Sequence, residues 1–302
     1  SGCTEDPNYA SPFFTTSQTL CYNNSVAVSC PAFGNPFYGQ EPQFDYTVQS
    51  FVADSDTVEE SVSGLVWQKE TPSSYSGCTK GTGSSQCTLA EALDYCEDLD
   101  LGGFDDWRLP MGYELITTMD FAKTAPLIHS DFVNTQSGNY WTVDSTVSLS
   151  DGSISGGVPT EDGFVKCVRG DGSGCAGCER YNFLEMDKLI VDLVDVDTNE
   201  VVFWYFDDLA SAVDWEDALD YCSGVTENGL SNFRLPTINE LHSLVDRSAS
   251  NPAALVSSIS PDKFWTSTTV HSQNSSGYVV DFSNGFVEHH AKTATAYVIC
   301  VK

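Results

Sequence analysis

Basic side chains are scarce in this chain: thirteen Lys and Arg stand against 43 Asp and Glu, a formal net charge of −30. That balance repels phosphate backbones and sulfated polysaccharides, so nucleic acid is excluded as a partner. Its simplest consequence is solubility, including in salty water; a sharper one is capture of divalent cations by clustered carboxylates. Histidine is also sparse. His129, His242, His271, His289 and His290 lie in no recognisable nucleophile or metal motif, and neither a catalytic triad nor a phosphate loop can be read. A non-enzymatic protein without an evident cofactor is expected. No run approaches the ~20 apolar residues that a membrane helix needs. Cys175-Ala-Gly-Cys178 is followed by Glu179 rather than His, which excludes covalent haem attachment.

What the chain does contain is a duplication. Ala-Leu-Asp-Tyr-Cys occurs at 92–96 and 218–222, and Arg-Leu-Pro at 108–110 and 234–236, both displaced by 126 residues. The register continues from Tyr140-Trp141-Thr142 to Phe264-Trp265-Thr266, and from Val165-Lys166-Cys167-Val168 to Val298-Ile299-Cys300-Val301. Two copies of one domain follow, in which shared residues are mostly scaffold and differences carry separate roles.

Eleven cysteines suit an oxidising compartment and an exported protein. Their positions in the repeat propose Cys96–Cys167 and Cys222–Cys300, each tying a helix to a terminal strand. Proximity adds Cys21–Cys30 and Cys78–Cys87, leaving Cys3, Cys175 and Cys178. The linker pair has a local disulfide as its default, with a bond to Cys3 as the alternative. Ser1-Gly2-Cys3 also admits a lipoprotein reading.

Residues 1–50 are rich in Pro, Gly, Asn and aromatics and predict an irregular, disulfide-clipped arm, packing against the first domain by default or reaching a neighbouring subunit. Domains are expected at 51–170 and 186–302, joined by a cysteine-containing linker at 171–185. Gly64–Gln68 and Leu189–Val194 read as strands. Thr88-Leu-Ala-Glu91 is a capping box opening a helix over 89–99, and Asp214 caps its counterpart. Pro110 and Pro236 mark second helices. Strands and turns follow, with hairpins around Asn284-Gly285 and Asp151-Gly152.

Gly64-Leu-Val-Trp-Gln-Lys69, Ala-Leu-Asp-Tyr-Cys, Asp106-Trp-Arg-Leu-Pro110 and Tyr140-Trp-Thr142 together resemble the Lcl C-terminal-domain family. The second copy departs modestly, with Asn232-Phe-Arg-Leu-Pro236 and Phe203-Trp-Tyr205. The resemblance implies an α+β chain of two tandem C-type-lectin-like domains, each with two short helices and twisted antiparallel sheets. It also implies recognition or adhesion outside a prokaryotic cell. The sulfated glycans associated with this kind of adhesin fit poorly with so acidic a chain.

Arg108 and Arg234 are expected to brace loops, since a guanidinium offers five donors in a planar fork. Trp107, Trp141 and Trp265 are expected in the core. Asp195-Val-Asp-Thr-Asn-Glu200 begins like a calcium loop but lacks its glycine and its closing glutamate, so calcium is only weakly supported. Adjacent carboxylates at Asp105-Asp106, Glu161-Asp162 and Asp207-Asp208 define no ligand set. The variable loops nominate Asn139, Tyr140, Asp162, His271 and Asn274 for binding a glycan or a surface protein. The rival is a structural subunit that uses its arm to join other copies of itself into a homopolymer, as a filament or sheath.

Overall fold

The computed structural model describes residues 15–44, 50–61, 63–170, 183–186, 188–195, 200–206, 211–249 and 251–302. The chain divides into two compact units, and residues 15–44 belong with the second rather than with the first that follows them in sequence. That placement corrects the expectation that the arm packs on the first domain. Cys3, Cys175, Cys178, Asp207-Asp208 and the centre of the Asp195–Glu200 turn lie outside the described residues.

The arm contains one small ladder, β1 (Cys21–Tyr22) against β2 (Ala27–Val28). In the first unit β3 (Phe51–Ala53), β4 (Thr57–Glu60) and β5 (Val66–Gln68) form an antiparallel sheet. Next come α1 (Leu89–Glu97) and α2 (Gly112–Thr117). A second ladder follows, of β6 (Asn139–Trp141), β7 (Thr146–Ser148) and β8 (Ile154–Ser155). Finally β9 (Val168–Arg169) returns to pair with β5.

The second unit repeats this order. It has β10 (Phe183–Met186), β11 (Leu189–Asp195), β12 (Glu200–Tyr205), α3 (Trp215–Gly224) and α4 (Ile238–His242). The long ladder β13 (Lys263–Thr269), β14 (Ser276–Asp281) and β15 (Phe286–Ala291) precedes β16 (Cys300–Val301), which closes on β12. The architecture is α+β, with few helices and several antiparallel sheets. Register is kept to the residue: Trp67 lies opposite Val168, and Trp204 opposite Val301.

Local signals explain the helices. Thr88 accepts from the Glu91 N–H while Glu91 reaches back to the Thr88 N–H, and Asp214 accepts from Asp217 N–H at the start of α3. Two orphan donors are thus satisfied at the start of α1 and one at the start of α3. Helices α2 and α4 begin two residues beyond Pro110 and Pro236. The effective cap is the residue that follows proline, Met111 or Thr237, because the Glu three positions later (Glu114, Glu240) accepts its N–H.

Among the described residues four disulfides are formed: Cys21–Cys30, Cys78–Cys87, Cys96–Cys167 and Cys222–Cys300. Cys96–Cys167 joins α1 to the residue before β9 across 71 positions. A loop of that length gives about 4 kcal/mol through loss of freedom in the unfolded chain. Replacing both cysteines by alanine is expected to lower first-unit stability by about that amount in chemical denaturation; an unchanged midpoint would refute the role.

Lys166 is fully buried, donates to the Gln68 carbonyl at 3.2 Å, and lies 5.0 Å from the Phe132 ring centre. Desolvation pulls its ammonium down to about 7. The unfolded chain then binds more protons between about pH 7 and the ordinary lysine range, so this residue makes stability rise with pH across that window. Lys166→Met should abolish that rise in denaturation curves recorded at pH 7 and pH 10; an identical pH profile would contradict the assignment.

Candidate functional site

The repeated Arg-Leu-Pro is a brace. Arg108 exchanges backbone hydrogen bonds with Val168 and grips Glu114 with both guanidinium amines, at 2.8 and 2.7 Å. Arg234 does the same with Val301 and Glu240, at 2.7 and 2.6 Å. In each unit one cation therefore locks the last strand to the start of the second helix. The tryptophans are scaffold as well. Trp141 Nε1 donates to Cys87 O, Trp265 Nε1 to Val213 O, and Trp107 Nε1 to Phe104 O, all three rings being buried.

The nominated binding residues fare differently. Asn139 is exposed at the start of β6, and half-exposed Asp162 faces Lys80 at 3.8 Å. Tyr140 is not a surface residue. It is fully buried, packs on Phe164 at 5.3 Å and accepts from the Gln136 N–H, and burial pushes its phenol up to about 12. Its place in a strand whose alternate face is core removes it from ligand contact. In the second unit His271 is occupied by the arm, with Nδ1 3.3 Å from Tyr22 Oη, and Asn274 keeps a buried side-chain carbonyl that finds no partner among the described residues.

One side-chain amide, Gln18, seats the arm on the second domain by imitating strand pairing, and a second, Gln40, folds the arm on itself in the same way. Gln18 donates to Thr269 O and accepts from Thr269 N–H, at 2.5 and 3.1 Å; Gln40 does the same to the backbone of Tyr22, at 2.8 Å each way. Phe37 packs against Trp215 at 6.3 Å, and Phe44 lies under Arg234. Glu41 is buried and accepts from Thr15 Oγ1, Thr16 N–H and Thr16 Oγ1. Lys292 is buried 3.7 Å over the Trp215 ring and donates to Asn23 O at 2.9 Å.

Burial pushes the Glu41 carboxyl up to about 7, although the Thr15 and Thr16 donors oppose it; desolvation brings the Lys292 ammonium down to about 7. The signs follow from proton counts. Native Glu41 holds its proton where the unfolded chain has lost it, so its contribution falls as pH rises from the ordinary carboxylate range to about 7. Lys292 acts oppositely above 7, where the unfolded chain is the more protonated. Seating of the arm is therefore expected to be weakest near neutral pH. Hydrogen exchange of the Thr269 amide at pH 5, 7 and 9, corrected for intrinsic rates, should show least protection at pH 7; monotonic protection would contradict it.

Each unit also carries a cleft. That of the first, about 410 Å3, is lined by Lys123, Pro126, His129, Phe132 and Thr135. That of the second, about 330 Å3, is lined by Asp262, Lys263, Asp281, Ser283 and Tyr297. These residues were missed by sequence reasoning, although a position-by-position comparison of the copies would have exposed Lys263 opposite Asn139. Among the described residues no group of three or more His, Cys, Asp or Glu is arranged to hold a metal ion, and no helix is long and apolar enough to cross a membrane.

A comparison with protein families matches the Lcl C-terminal domain twice, over residues 56–169 and 194–302. The chain belongs to the Lcl C-terminal domain family. The two matches coincide with the two structural repeats, so the braced Arg-Leu-Pro and the helix-to-strand disulfide occur in both Lcl C-terminal domains. The comparison with curated proteins returns no match.

Proposed function

We propose that this is a non-enzymatic recognition or adhesion protein, extracellular or displayed at the surface of a prokaryotic cell, whose two domains have a C-type-lectin-like fold. The observation that carries the reading is the division of labour within the repeat. The arginine brace, the Trp141/Trp265 pair and the disulfide recur in both copies, whereas the clefts differ in position and chemistry. A conserved frame with divergent clefts suits binding of a glycan or surface protein. The four disulfides support an oxidising location. The fluorescently labelled chain should bind target cells saturably and be displaced by unlabelled chain; linear, non-displaceable uptake would defeat the proposal.

A second reading rests on a different observation. Residues 15–44 seat on the second domain through contacts 251 residues apart in sequence, such as Gln18 with Thr269. An element that bypasses its sequence neighbour can dock on another copy by identical contacts, and repeated head-to-tail docking builds a filament. Cysteines introduced as Gln18→Cys and Thr269→Cys distinguish the readings. Monomers cross-linked internally support recognition by single molecules, and a covalent ladder supports assembly.

A further inference from the structure

At the second-unit cleft the two copies share a backbone and differ in side chains. Phe164 N–H donates to Asn139 O and Trp141 N–H to Phe164 O in the first unit; Tyr297 N–H donates to Lys263 O and Trp265 N–H to Tyr297 O in the second. Asn139 lies opposite Ser148 and Lys263 opposite Asp281, while Leu149 N–H donates to Gly138 O and Phe282 N–H to Asp262 O. Equivalence is thus fixed by hydrogen bonding. At equivalent places the first unit has Gly138, Asn139, Ser148 and Phe164, and the second has Asp262, Lys263, Asp281 and Tyr297.

Three uncharged positions have become charged and one ring has gained a hydroxyl, all around one cleft of about 330 Å3. Sheet stability does not call for this. Lys263 lies 3.8 Å from the buried Asp281 and also contacts Glu288, but the lysine is 36% exposed and solvent screening at its end limits what these cross-strand pairs add to the sheet. The first unit, moreover, folds on the same frame with Asn and Ser. Asp281 is held in place because its Oδ1 accepts from Ser283 N–H and Oγ–H, and Lys263 and Glu288 hold each other. The cleft is accordingly pre-organised, with the Tyr297 ring and Pro261 as apolar walls.

We infer that this cleft is a saccharide-binding site selective for neutral sugars. The inference rests on the recognition reading and names its ligand class. Two carboxylates offer acceptors for neighbouring hydroxyls, one ammonium offers donors for hydroxyl or ring oxygens, and the Tyr297 ring offers an apolar surface to the sugar's C–H groups. The cleft lies at the small end of ligand sites, which run from about 300 to 1,000 Å3, and accommodates one or two sugar rings. Asp262, Asp281 and Glu288 outnumber Lys263, so sulfated and carboxylated sugars are repelled.

The test is titration of the full chain, followed by amide NMR, with neutral gluco-, galacto-, manno- and N-acetylhexosamine oligosaccharides and their sulfated counterparts. At least one neutral sugar should shift resonances around Lys263 and Tyr297, and its sulfated form should bind more weakly. Lys263→Asn and Tyr297→Phe install residues that the first unit accommodates on the same frame. Each should weaken binding roughly tenfold with near-UV circular dichroism unchanged. Sugar binding that shifts only other residues, or that both variants leave intact, overturns the site and leaves the recognition reading standing. Preference for sulfated sugars overturns the selectivity. Cell binding without any sugar binding overturns the site alone, and absence of both overturns the site and the reading together.

Discussion

A chain lacking residues 15–44 will retain a folded first domain and lose cooperative folding of the second at ordinary temperatures. The arm buries Thr16, Gln18, Tyr22, Gln40 and Glu41, and it covers Trp215 with Phe37. Without the arm the Trp215 ring loses its Phe37 cover and the Thr269 backbone its Gln18 pairing, a loss on the order of 3 kcal/mol. That is a large fraction of the stability of a domain of this size. Differential scanning calorimetry should show the first-domain transition preserved and the second displaced or missing, with a synthetic 15–44 peptide restoring it. Two unchanged transitions would mean that the arm is an appendage rather than part of the domain.

Arg234→Ala will destabilise the second domain by about 3–5 kcal/mol, because it leaves the Glu240 carboxylate buried without its cation. The Arg side chain is 13% exposed and the Glu 2%, so water compensates little. Arg108→Ala should cost less in the first domain, since Arg108 is 33% exposed and solvent already screens that pair. Arg234→Lys should recover only part of the loss, because an ammonium cannot reproduce two parallel bonds. Denaturant midpoints for the three variants check the order. Equal, small effects for both alanine variants would show that the repeated arginine does not carry the brace.

Much of the frame was legible because its signals are local or repeated. Thr88-x-x-Glu91 and Asp214 satisfy backbone donors within one helical turn, so the helix starts can be read directly. Disulfide pairing followed from equivalent cysteines in two copies. The arm's destination was not legible, because it turns on contacts such as the Gln18 amide meeting the Thr269 backbone 251 residues away, without periodicity or composition to announce them. Tyr140 was misjudged for a similar reason: one aromatic in a short strand does not reveal which face is core until Phe164 packs on it. The cleft needed register. Lys263 and Asp281 converge only because β13 and β14 pair at that step, and nothing in either strand alone marks the meeting.

Electron microscopy of the native protein, with sedimentation in the same buffer, tests recognition by discrete molecules most directly. The account expects separate particles sedimenting as the 32.8 kDa chain or a small defined oligomer, unchanged by dilution. Regular filaments that persist on dilution would contradict it and make assembly through the arm the protein's principal role.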